Sequence, residues 1–165
     1  MGTRLPLTGA LGSGRLILFD NSVLVDAYEA GDGHARRVRD LVLDVIPVNR
    51  RFATELVLWQ FAHGRAGANV LPAELRQKRL RWFRENRVRI WPHPPPKYTE
   101  MFARLLAARE VAVDLVDFSL AVQALASEED RRGRFAIATS DESDFCWDDG
   151  IVVISDFFRS PPTCS

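Results

Sequence analysis

Three layers, with helices on both faces of a mostly parallel sheet of four or five strands, are what this sequence predicts. Two observations carry that expectation. Apolar runs too short for helices recur between amphipathic helical stretches, and the clearest of them end on carboxylates. The first run is Leu16-Ile17-Leu18-Phe19, followed at once by Asp20, Asn21 and Ser22. Four consecutive large apolar residues read as a strand buried on both faces, as inside a parallel sheet. The second is residues 134 to 139 (RFAIAT), which leads into Ser140, Asp141, Glu142, Ser143, Asp144 and Phe145, and residues 151 to 154 (IVVI) make a final buried strand. Strand alternating with helix between them points to a βα order.

Residues 1 to 14 contain Pro6 and four glycines with only short apolar pieces, so they read as a flexible leader, unsuited to a signal peptide or a membrane span. After the first strand Ser22 is a plausible N-cap, and Val23, Leu24, Ala27 and Ala30 space out a short helix that Gly31 and Gly33 end. Residues 34 to 45 set Val38, Leu41, Val42 and Val45 on one face against Arg36, Arg37, Arg39 and Asp40 on the other. Residues 46 to 48, interrupted by Pro47, allow at most a short strand.

A helix over residues 54 to 66 carries Leu56, Val57, Trp59, Gln60 and Phe61, too apolar all round for a surface helix, with Glu55 in its first turn. Pro72 opens the next, which reaches about Glu85, and a short strand follows at residues 88 to 91. His93-Pro94-Pro95-Pro96 is a stiff loop, too short to separate domains. Met101, Phe102, Leu105 and Leu106 give a helix over residues 97 to 109, and Asp114 can cap another over residues 115 to 127, with Asp117 in its first turn. Residues 15 to 160 are then one domain, flanked by the leader and a flexible tail at residues 161 to 165, and 165 residues suffice to bury roughly 70% of the unfolded surface.

Cys146 and Cys164 match neither a metal spacing nor a disulfide framework, and such scarcity suits a reducing compartment, so the expected location is the cytoplasm. The formal charge is zero, which by itself indicates no polyanionic partner, but the distribution is uneven. Residues 76 to 89 hold seven bases and one acid, and residues 141 to 149 hold five acids and no base. The basic run is either a solvated helical face or a contact for RNA phosphates or an acidic partner, through Arg76, Arg79, Arg81 and Arg84. His34, His63 and His93 lie apart from the acids and read as ordinary surface or core histidines, and Trp59, Trp82 and Trp91 as core or interface anchors.

In an open parallel sheet the functional crevice lies beyond the carboxyl ends of the strands, where chain order reverses. Asp20 and Asp141 follow strands directly. Helices that follow strands start at the same edge, so first-turn Glu55 and Asp117 qualify as well. Each alone has a plain explanation as a cap, a dipole-complementing acid or a turn residue. Four together at one rim would repel, and a hard divalent cation such as Mg²⁺ or Mn²⁺, which takes oxygen ligands, would hold them.

With these residues in place, the sequence resembles the PIN domains, metal-dependent ribonucleases that include the toxins of VapBC-type toxin-antitoxin modules. The resemblance lies in residues 16 to 25 (LILFDNSVLV), 53 to 56 (ATEL), 113 to 124 (VDLVDFSLAVQA) and 135 to 145 (FAIATSDESDF), and covers nearly the whole domain. It implies a PIN-like α/β/α fold with catalytic, metal-holding acids at Asp20, Glu55, Asp117 and Asp141, Asp144 as a fifth candidate, and Asp114 competing with Asp117 for the third place. It implies that Ser22 supports the first acid or a metal-bound water. It further implies hydrolysis of RNA phosphodiester bonds with Mg²⁺ or Mn²⁺, leaving a 5′ phosphate and a 3′ hydroxyl, together with a cognate antitoxin and a homodimer whose surfaces Trp59, Phe61, Trp82 and Phe83 would supply. The competing reading is a PIN-like module that holds RNA or protein with little or no cleavage. Phosphoacceptor folds also place Asp after a first strand, but Asn21-Ser22 offers no second Asp two positions on, and no Lys follows the late strand.

Overall fold

The computed structural model describes residues 2–65, 67–91, 97–108, 114–128 and 134–159. At its centre β2 (Leu16–Phe19) lies between β5 (Phe135–Ala138) and β3 (Arg51–Ala53), in parallel register with both: Phe19 stands beside Ala138 and Leu18 beside Phe52. Beyond β3 is β4 (Arg89–Ile90), and beyond β5 are β6 (Val152–Ile154) and β1 (Thr3–Leu5). The sheet order is β1-β6-β5-β2-β3-β4 and every pairing is parallel. Ile17, Leu18, Phe19, Phe135, Ile137 and Val153 are fully buried, as continuous apolar strands covered on both faces must be.

Between strands run α1 (Leu7–Gly12), α2 (Asn21–Glu29), α3 (Gly33–Asp40), α4 (Glu55–His63), α5 (Ala73–Glu85), α6 (Tyr98–Ala108) and α7 (Leu115–Ser127). α7 packs on β5, α4 and α6, while α2 packs on α3 and α4. α7 is buried from Val116 to Ser127 apart from the half-buried Asp117, which makes it the helix most enclosed by the fold.

Three expectations are corrected. Residues 1 to 14 are not a loose leader: β1 adds a sixth strand, Leu7 and Ala10 of α1 enter the core, and the Leu7 amide donates to Asp156 at 2.6 Å. Arg4 pairs with the buried Glu142, tying that edge to the loop after β5. Residues 46 to 48, which allowed at most a short strand, form none; Leu41–Val45 form a π-helical turn, Val48–Arg50 a 3-10 turn, and the strand is Arg51–Ala53. Arg51 hides that strand in the sequence, because a charged residue is an unusual strand member. Its buried guanidinium donates to the carbonyls of Ile46, Leu43 and Asn86 at 3.0, 2.8 and 2.9 Å, which replaces the lost hydration. Third, Cys146 is disulfide-bonded, so cysteine usage no longer argues for a reducing compartment. Cys164, His93, the proline loop and the tail at residues 161 to 165 lie outside the described residues. Among the described residues no helix is long and apolar enough to cross a membrane.

Candidate functional site

Chain order reverses between β2 and β5: from β2 the chain proceeds outward through β3 to β4, and from β5 outward through β6. The carboxyl ends of these two strands therefore flank the switch point of the sheet. Asp20 prolongs β2 by one residue, its amide donating to Ala138 O at 2.9 Å, and Thr139 and Ser140 prolong β5 opposite it.

Asp20 is the most firmly held side chain of the region. It caps α2, Oδ1 accepting from the Asn21 amide at 2.6 Å, while Oδ2 accepts from Ser22 Oγ at 3.0 Å and from the fully buried Thr139 Oγ1 at 2.9 Å. Ser22 Oγ in turn accepts from the Ser140 amide at 3.2 Å, so one hydroxyl links both strand ends through Asp20. Burial raises the carboxyl above its ordinary range, and the three donors and the Arg65 charge oppose that rise.

Around Asp20 opens a cavity of about 540 Å³ whose lining includes Ser22, Gln60, Arg65, Asp114, Asp117, Asp141, Asp144 and Arg159. α7 brings two of the acids. Asp114 caps the helix by accepting from the Val116 amide at 2.8 Å, and Asp117 stands one turn further in. The loop after β5 brings the others: Asp141 accepts from Ser143 N and Oγ at 2.9 and 2.6 Å, and Asp144 follows in the 3-10 turn. Asp117 is pushed up to about 8, first by burial and then by the charges of Asp20, Asp144 and Asp114. Burial and the charges of Asp141, Asp20 and Asp114 raise Asp144 to about 6. Arg65 works against all three rises. Five carboxylates from three separate segments thus share one cavity with Asp26 of α2.

Glu55 is not among them. It faces a second cavity of about 240 Å³, with Ala53, Ile90, Trp91, Tyr98, Ser119 and Gln123. α4 turns Gln60 toward the acids instead. The first turn of a helix after a strand does lie near the switch edge, yet its rotation decides which residue looks inward, and α4 buries the stripe Val57, Gln60, Phe61. A polar residue within that stripe was the available signal for Gln60. Sequence reasoning also passed over Arg65 and Arg159. Arg159 pairs with Asp26 and Asp32 at 2.8 and 2.7 Å and its amide donates to Ser140 O at 3.0 Å, closing one side of the cavity.

The basic helix divides in two. Arg79 is only 6% exposed: it donates to Phe61 O at 2.9 Å, pairs with Glu29 at 3.0 Å and lies over the rings of Tyr28 and Phe61, so it is an internal tie. Arg81 and Arg84 are exposed and Arg76 is half-buried. Of the aromatic residues expected at an interface, Phe61 and Phe83 are buried and Trp82 is half-buried, whereas Trp59 is 49% exposed and stacks on His63 at 4.9 Å. Trp147 belongs to the cavity's support, stacked on Phe118 and donating to Asp144 O at 3.0 Å.

The oxygen-rich, mutually repelling donor set matches the chemistry of a hard divalent cation. Among the described residues, no three His, Cys, Asp or Glu side chains are grouped closely enough to hold a metal together. A cation here would rest on one or two carboxylates with neutral oxygens and water, as Mg²⁺ commonly does.

No family model matches this chain, and no curated protein does. Among solved structures it is similar to a crystal structure of FitAcB from Neisseria gonorrhoeae, with a TM-score of 0.56 and 15% identity over 86% of this chain and 99% of that one. At that identity the likeness is one of fold.

Proposed function

We propose that this chain is a PIN-like endoribonuclease dependent on Mg²⁺ or Mn²⁺, acting as the toxin of a toxin-antitoxin pair. One observation carries the reading: Asp20, Asp117, Asp141 and Asp144 (with Asp114) arrive from far-apart segments at a single cavity on the sheet's switch point. The PIN resemblance of those same segments supplies the reaction class.

Asp20, fixed by three donors, together with Asp117 or Asp144, both raised first by burial and then by neighbouring carboxylates, would hold the cation. When bound, it supplies positive charge to the reacting phosphate and acidifies a water molecule. Ser22 and Thr139 keep the Asp20 carboxylate aimed into the cavity. Arg65, which lines the same cavity, would take a phosphate oxygen of the RNA. Water attacks phosphorus and the bond to the 3′ oxygen breaks, the proton that water gives up being matched by the one the 3′ oxygen takes. The exposed Trp59 is the apolar surface on which a second copy or an antitoxin would dock.

The absence of a closely grouped acid triad among the described residues favours the second reading, a module that binds RNA or protein without cutting it. Cleavage of labelled structured RNAs in Mg²⁺, Mn²⁺ and EDTA separates the two. The nuclease reading expects metal-dependent products with 5′ phosphates that Asp20→Ala abolishes. Binding without products in any arm returns the chain to the binding class.

A further inference from the structure

Five residues separate Gln60 from Glu55, about 140° around an α-helix. That rotation places Glu55 in the smaller cavity and Gln60 in the acidic one. Gln60 is 6% exposed, and its side-chain amide makes no hydrogen bond to any described residue. Lining the cavity, the amide is open to bond whatever occupies it, water or an ion. The same cavity is lined by six carboxylates and by Arg65, Arg79 and Arg159, so the amide shares a strongly charged site.

We infer that Gln60 is the neutral donor of the cation site and sets its affinity: Oε1 faces the ion, on the helix where Glu55 was expected to serve. This rests on the cation reading proposed above and deepens it. An amide oxygen is a competent ligand for a hard divalent cation but adds no negative charge, and affinity in oxygen sites follows the count of charged ligands. With the carboxylates already crowded, a neutral residue at this position limits their repulsion when no ion is bound. The consequence is a site that fills only at comparatively high cation concentration.

Calorimetric titration of MnCl₂ into the full chain tests this with four proteins: wild type, Gln60→Glu, Gln60→Leu and Asp20→Asn, each also melted in EDTA. Gln60→Glu is expected to bind Mn²⁺ about tenfold tighter or more, with a lower melting temperature in EDTA. Gln60→Leu is expected to bind several-fold weaker, and it carries the test if Gln60→Glu does not fold. Mn²⁺ binding by Gln60→Glu and Gln60→Leu within twofold of wild type, while Asp20→Asn abolishes it, would overturn the role of Gln60 and leave the cation reading standing. No Mn²⁺ binding by any of the four would remove both.

Discussion

Replacing Asp117 by Asn is expected to stabilise the cation-free protein at pH 8 and to do so about three- to fourfold less at pH 5. The folded-state carboxyl titrates at about 8 where an unfolded one titrates near 3.8. The folded chain therefore holds an extra proton across that window, and stability falls as the pH rises from about 4 to about 8. At ~1.4 kcal/mol per pH unit the full displacement bounds the loss near ~6 kcal/mol. Asp117 is only half-buried, so solvent screening reduces this to about 2 kcal/mol, or roughly 5 °C in melting temperature for a domain of this size. Asn keeps the shape and removes the charge facing Asp20, Asp144 and Asp114. Melting both proteins in EDTA at pH 5 and pH 8 reads the effect. Equal melting temperatures at pH 8, or the same difference at both pH values, would refute the idea that the acids repel one another through this residue.

Thr139→Val removes one of three donors to a buried carboxylate and should cost about 1 to 3 kcal/mol at pH 7, seen as a lower denaturant midpoint. Arg79→Ala should destabilise by about 2 to 3 kcal/mol, because Phe61 O loses its partner, while Arg81→Ala and Arg84→Ala stay within about 0.5 kcal/mol in the same unfolding experiment. Glu55→Gln should leave Mn²⁺ affinity unchanged, since Glu55 faces the other cavity; a loss of tenfold or more by calorimetry would place Glu55 back at the cation.

The strands legible in the sequence were those whose burial left no polar residue: β2, β5 and β6 are uninterrupted apolar runs, and Asp20 and Asp141 were visible because they follow such runs directly. β3 was obscured because Arg51 is satisfied by three carbonyls that are distant or irregular in sequence, which no local pattern encodes. β1 was missed because a three-residue edge strand between Gly2 and Pro6 carries little periodicity, and its pairing with β6 joins residues almost 150 apart. The site divides the same way. Acids attached to strand ends inherit their position from the sheet, whereas a residue on a helix also depends on the helix's rotation. That second dependence moved Glu55 out of the cavity and Gln60 into it. Arg79 shows the converse error for charge: a run of basic residues reads as a surface, but one of its members turns inward under Phe61 and Tyr28.

Crystals grown or soaked with MnCl₂ and measured for anomalous scattering locate the cation directly. A Mn²⁺ peak bounded by Asp20, Asp117 or Asp144, with Gln60 beside it, is the result expected. A peak at Glu55 in the smaller cavity, or none near Asp20 at saturating Mn²⁺, would contradict the claim that the acids at the switch point are a cation site.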